Sequence, residues 1–215
     1  MPGMTSTITP TTTITPTERP ALTHLLYLHG FRSSPQSMKA RKVADWVSRH
    51  RPDLRWACPQ LPPSPREAMA LIESLTADWP AVSSAVIGSS LGGFYALAHA
   101  QRRGWRTVLI NPAVFPARDL ARYIGEQGSW HDPTERFWFR PEFIDELRAL
   151  EPPTPLPHPE RLLSVIAQGD EVLDWREMLA RCGTPPAQVR LVEGSDHALS
   201  DFDTHWPAMI GFLGL

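Results

Sequence analysis

Residues 25–30 (LLYLHG), 54–58 (LRWAC), 85–87 (AVI), 107–111 (TVLIN), 162–167 (LLSVIA) and 189–192 (VRLV) are short, mostly apolar runs, and helix-patterned segments separate most of them. That alternation constrains the fold more than any other feature of the chain. A run with apolar residues at consecutive positions must be buried on both faces, and parallel strands joined by helices achieve this. Ser34 and Pro35 are placed to act as N-cap and first residue of a helix reaching about His50. Further helices are expected over Arg66–Asp78, with Ala68, Leu71, Ile72 and Leu75 on one face, and over Leu91–Arg102, stopped by Gly104. Two more are expected over Trp175–Arg181, closed by Gly183, and over Phe202–Leu213, where Pro207 starts or kinks the helix. The fold class is therefore α/β, with about six parallel strands flanked by helices.

The alternation lapses once. Residues 115–160 show no buried-strand pattern, only a helix candidate at Ala117–Gly125, an aromatic group (Trp130, Phe137, Trp138, Phe139) and an amphipathic stretch at Pro141–Leu150. This segment is expected to be a small lid above the sheet of a single domain spanning residues 23–215. Two readings of the aromatic group stay open, the lining of a substrate pocket or the lid's own small core. Residues 1–22 are rich in Thr and Pro, with neither a basic start nor an apolar stretch, so they read as a disordered tail and not as a signal peptide. At 215 residues the chain is long enough for one sizeable core. A net charge of −2 offers no electrostatic basis for binding nucleic acid or an anionic membrane. Cys58 and Cys182 form no CxxC or zinc pattern, which fits packed thiols in a reducing, cytoplasmic setting.

Gly88-Ser89-Ser90-Leu91-Gly92 matches G-x-S-x-G, centred on Ser90; for Ser89 the flanking positions hold Ile87 and Leu91 instead of glycine. The bare pattern arises by chance in about one chain in twenty of this length. Its context is more informative, because a strand precedes it and a helix follows it. There the serine sits on a tight turn with Oγ lifted above the sheet, at the positive end of the helix.

A serine hydroxyl attacks only once a base takes its proton. Asp170 follows the fifth strand and His197 the sixth, so the order Ser, Asp, His places all three on loops at the C-terminal edge of the sheet. His197 is the expected base and Asp170 the acid that fixes its tautomer. Glu171 and Asp174 compete for the acid's role, but Glu171 projects differently and Asp174 suits the N-cap of the helix at Trp175. The backbone N–H groups of Leu91 and Phe31 are the expected oxyanion donors, with His29 holding the Phe31 loop. Arg32 is read as a solvated arginine, with contact to an anionic substrate group as the other reading. The remaining histidines (His24, His50, His99, His131, His158, His205) show no metal-liganding spacing, and neither metal nor cofactor is expected.

Taken together, YLHGF-x-SSP (27–35), IGSSLGGF-x-A (87–96), NPAV (111–114), GDEVLD (169–174), G-x-x-HA (194–198) and the terminal FLGL resemble the α/β-hydrolase superfamily. Within it they are similar to the YqiA/YcfP-like group of small bacterial esterases. The resemblance implies a compact α/β-hydrolase fold lacking the superfamily's first strands. It also implies serine esterase activity, with acyl thioesters as a further substrate class, and Ser90, Asp170 and His197 as nucleophile, acid and base. A serine hydrolase acting on small-molecule esters or thioesters is thus the leading expectation. An amidase or peptidase on the same triad, or a non-catalytic binding protein on a hydrolase scaffold, are the alternatives.

Overall fold

Leu25 and Tyr27 point to one side of the sheet and Leu26 and Leu28 to the other, and each pair enters a separate apolar cluster. The computed structural model describes residues 20–130, 132 and 134–215. Six parallel strands form the main sheet: β1 (His24–Leu28), β2 (Arg55–Ala57), β3 (Ser84–Ser89), β4 (Arg106–Ile110), β7 (Leu162–Ala167) and β8 (Gln188–Val192), ordered β2-β1-β3-β4-β7-β8. All residues of β3, β4 and β7 are buried, as parallel strands covered on both faces should be.

Helices α1 (Met38–His50) and α7 (Phe202–Leu213) cover one face, where Val43, Val47, Phe202 and Met209 meet Ile87, Val108 and Val165. Helices α2 (Pro65–Leu75), α3 (Leu91–Arg103) and α6 (Trp175–Cys182) contribute to the cluster on the other face. Every residue of α3 from Leu91 to Gln101 is buried. A helix enclosed all round needs a layer above it, and the lid supplies this with Phe139, Phe143, Ile144 and Leu147.

The lid contains α4 (Pro116–Asp119), an antiparallel hairpin of β5 (Gly125–Gly128) and β6 (Arg136–Phe139), and α5 (Glu142–Ala149). Glu146 on α5 fastens it to the start of α2, accepting hydrogen bonds from Ser64 Oγ (2.7 Å) and Arg66 N (3.1 Å).

Several boundaries differ from the sequence reading. α1 begins at Met38 after Ser37, because Ser34 instead closes a turn that takes the N–H groups of Gln36 and Ser37. α2 stops at Leu75, and Met69 rather than the exposed Leu71 completes its buried face. The helix expected over Ala117–Gly125 is only α4 plus a 3-10 turn at Ala121–Tyr123, and Gly125 starts a strand. Pro207 lies inside α7. The tail was expected to run through residue 22, but Leu22 is fully buried and Thr23 N donates to Ser83 O. Residues 1–19 of that tail, together with His131, lie outside the described residues.

Candidate active site

Strand order reverses between β1 and β3, so the loops leaving their C-terminal ends lie side by side at the topological switch point. Ser90 occupies that position with φ 55° and ψ −122°, a conformation L residues rarely adopt. Backbone contacts on both sides hold it there. Ser90 N donates to Ile110 O (3.0 Å), and Ser90 O accepts from Gly93 N and Ala113 N (both 2.9 Å). The flanking glycines are required by close approach. A Cβ on Gly88 would lie 2.7 Å from Gly93 Cα, and one on Gly92 would run into the Leu28 carbonyl.

β7 and β8 deliver the other two side chains. The Asp170 side chain is shielded from solvent; its Oδ2 lies 2.7 Å from His197 Nδ1, while Oδ1 accepts from Val172 N (2.9 Å) and Leu173 N (2.8 Å). A carboxylate can only accept, so His197 carries its proton on Nδ1. Nε2 is then an acceptor, and Ser90 Oγ, at 3.0 Å, donates to it. Ser90, His197 and Asp170 are thus joined in one hydrogen-bonded line. Glu171 and Asp174 have other partners. Glu171 accepts from His197 N (3.0 Å), and Asp174 caps α6 by accepting from Arg176 N (2.9 Å).

Two residues that sequence reasoning did not single out hold this line together. Asn111, wholly buried with φ 42°, donates through Nδ2 to the carbonyls of Asp196 and His197 (3.0 Å each) and accepts from Ala167 N (2.8 Å). One amide therefore joins the end of β7 to the histidine loop. Its signal was the NPAV motif, where a polar residue ends an apolar strand. Gly169 lets the same two loops touch, since a Cβ there would sit 2.5 Å from Ser195 O. Lys39, also unforeseen, donates to Ala198 O and lines the cavity over the serine. Burial pulls its ammonium down to about 8, against the opposing charges of Asp196 and Asp170.

His29 is buried and accepts from Leu61 N through Nε2 (3.1 Å), so its Nδ1–H donates to Gly30 O (3.0 Å) and the loop is clamped from within. The Phe31 and Leu91 N–H groups have no hydrogen-bond partner among the described residues, and both residues line the cavity over Ser90. Arg32 is engaged rather than free in solvent. Its Nε donates to Gly128 O (2.6 Å), its guanidinium stacks 4.2 Å from the Trp130 ring, and Trp130 N donates to Arg32 O (2.9 Å). It stitches the hairpin to the loop that carries Phe31. The aromatic group divides between its two readings. Phe139 is lid core, Phe137 packs edge-on to Phe31, Trp130 lines the cavity mouth and Trp138 faces outward.

Burial pushes both Cys58 and Cys182 thiols up to about 12, and both are free. Among the described residues no group of three His, Cys, Asp or Glu is placed to hold a metal ion, and no helix is long and apolar enough to cross a membrane.

A family model described as "Uncharacterised protein family (UPF0227)" matches residues 24–214. The chain belongs to that family, the YqiA-like group. The family match begins at β1 and ends at the residue after α7. Solved structures similar to this one are α/β hydrolases. The alpha/beta hydrolase domain-containing protein 10 from mouse superposes with a TM-score of 0.64 at 17% identity, covering 88% of this chain and 90% of its own. Est1E from Butyrivibrio proteoclasticus gives 0.63 at 12% identity over 91% and 90%. Carboxylesterase CesB (YbfK) from Bacillus subtilis gives 0.55 at 18% identity over 93% and 86%. The α/β-hydrolase fold is thereby shown.

Proposed function

We propose that this UPF0227 chain is a serine hydrolase that cleaves small-molecule carboxylic esters or acyl thioesters. One observation carries the reading, the unbroken hydrogen-bonded line from Asp170 through His197 to Ser90 at 2.7 and 3.0 Å. Ser90 Oγ attacks the acyl carbon as its proton passes to His197 Nε2, and the carbonyl π pair moves onto oxygen. That oxyanion is met by the N–H groups of Phe31 and Leu91 and by the positive end of α3, each donor being worth about 3–4 kcal/mol to the transition state. The pair on oxygen re-forms the carbonyl, the bond to the leaving oxygen or sulfur breaks, and His197 gives that atom its proton. Water, deprotonated by His197, repeats the attack on the acyl-enzyme and releases the acid, restoring the Ser90 proton. Asp170 holds the Nδ1–H and stabilises the imidazolium. The names of Est1E and of the Bacillus carboxylesterase are consistent with this chemistry.

The test is turnover of p-nitrophenyl acetate and butyrate, acyl-CoA thioesters and matching anilides. Ester or thioester hydrolysis that disappears in a folded Ser90→Ala protein supports the reading. Hydrolysis of anilides alone would make the chain an amidase, and no turnover with no covalent labelling of the folded wild type would make it a binding protein.

A further inference from the structure

Two cavities meet along the loop that carries Phe31 and the start of α3. Both are lined by His29, Gly30, Phe31, Arg32, Ser33 and Leu91. The larger, of about 520 Å³, contains Ser90 and His197. The smaller, of about 310 Å³, is bounded by Leu61, Pro62, Tyr95 and Phe137 and touches neither Ser90 nor His197. We propose that the smaller cavity receives the acyl group and the larger one the leaving group, an assignment that rests on the hydrolase reading above.

The proton decides the orientation. In the tetrahedral adduct the reacting carbon carries Ser90 Oγ, the oxyanion, the acyl chain and the leaving heteroatom. The oxyanion lies against the Phe31 and Leu91 N–H groups. The leaving heteroatom has to come within hydrogen-bond reach of His197 Nε2 to collect its proton. His197 lines the larger cavity only. The leaving group therefore extends into that space, and the acyl chain crosses the shared loop in the other direction.

Both cavities have mixed walls. The smaller cavity sets Leu61, Leu91, Tyr95 and Phe137 beside Arg32, Gln60 and Glu135. Lys39, Arg122, Asp119 and Glu171 line the larger cavity alone. A leaving group with polar atoms keeps hydrogen-bond partners among these charges, which lowers the cost of desolvating it there. Met38, Leu120 and Leu173 also line the larger cavity, so size alone would send a long acyl chain into it; the position of the general acid opposes this. The substrate class that follows is an ester or thioester with a compact acyl group and a bulkier leaving group that carries polar atoms.

Two substrate series separate the cavities: p-nitrophenyl esters of acids from acetate to decanoate, and acetates of methyl, benzyl and naphthyl alcohols. Leu61→Trp fills the smaller cavity, Leu61→Ala widens it, and Val172→Trp narrows the larger one. In a pocket of this kind one methylene changes kcat/KM by about tenfold or more. The Leu61→Trp change is expected to lower the hexanoate-to-acetate ratio of kcat/KM by about tenfold, with the alcohol series preserved within about twofold. Leu61→Ala is expected to shift the optimum toward longer acids, which keeps the proposal testable where the tryptophan variant does not fold. Val172→Trp is expected to reorder the alcohol series and leave the acid series intact. If the Leu61 variants reorder the alcohols and leave the acids unchanged, the assignment is overturned while the hydrolase reading stands. If the folded wild type hydrolyses neither series nor the acyl-CoA thioesters and takes no covalent label, the hydrolase reading fails and takes this inference with it.

Discussion

Replacing Asp170 by Asn tests the proton relay at one atom. Asp170 Oδ1 accepts from both Val172 N and Leu173 N, so the amide oxygen must stay on that side. The new NH2 then faces His197 Nδ1 and donates to it, which forces the imidazole proton onto Nε2. In that tautomer Nε2 has no lone pair for the Ser90 proton. The working tautomer returns only if the amide flips, turning NH2 toward two backbone N–H groups. The Leu173 N–H is partly buried and costs about 1–3 kcal/mol when orphaned, and the more exposed Val172 N–H adds about 1 kcal/mol. A barrier raised by about 2–4 kcal/mol lowers kcat by roughly 30-fold to 1,000-fold. Glu171→Gln makes the control, because the hydrogen bond that Glu171 accepts from His197 N can be kept by the amide oxygen. Its kcat is expected to stay within about threefold of wild type. Steady-state kinetics on p-nitrophenyl acetate, with melting curves for both variants, give the comparison. A loss below threefold in Asp170→Asn, or a larger loss in Glu171→Gln, would refute the reasoning.

Two other perturbations reach beyond the triad. Asn111→Ala removes three hydrogen bonds that join β7 to the histidine loop. It is expected to cost about 2–4 kcal/mol in urea unfolding and to lower kcat more than it changes KM; unchanged kcat would show that the loop holds His197 without it. His99 is pulled down to about 4, first by burial and then by the charges of Arg103 and Arg102. Unfolded, it takes its proton near 6.5. The unfolded chain therefore binds more protons between these values, and stability complete above about pH 6.5 declines as pH falls toward 4. The loss is about 3 kcal/mol over that window. Urea unfolding at pH 7 and pH 4.5 should show a smaller acid loss in His99→Gln than in wild type, and equal losses would remove His99 as the cause.

The sheet was legible because its strands are apolar at successive positions, as in LLYL and LLSVIA, and nothing but two-sided burial accommodates that. The Ser90 turn was legible because glycine is forced at positions 88 and 92 by neighbouring backbone, and such requirements leave a mark in sequence. The hairpin left none. GEQG at 125–128 lacks any strand former, and RFWF at 136–139 is too short to show its alternation, although Phe137 and Phe139 do face inward and Trp138 outward. Their pairing comes from the loop they rest on, through Arg32 and Gly128. The start of α1 was misplaced for a similar reason. Ser34-Pro35 and Ser37 both suit a helix start, and the choice between them depends on the turn that the 29–33 loop must make beside Ser90. Asn111 and Lys39 act through contacts more than 80 residues away in sequence, with the histidine loop.

The relay itself is tested most directly by covalent labelling with a fluorophosphonate, followed by mass spectrometry of the modified peptide. The account predicts one adduct, on Ser90, formed rapidly by the wild type, absent in Ser90→Ala and slowed at least a hundredfold in a folded His197→Ala protein. An adduct on another residue, or labelling of Ser90 at an equal rate without His197, would contradict it.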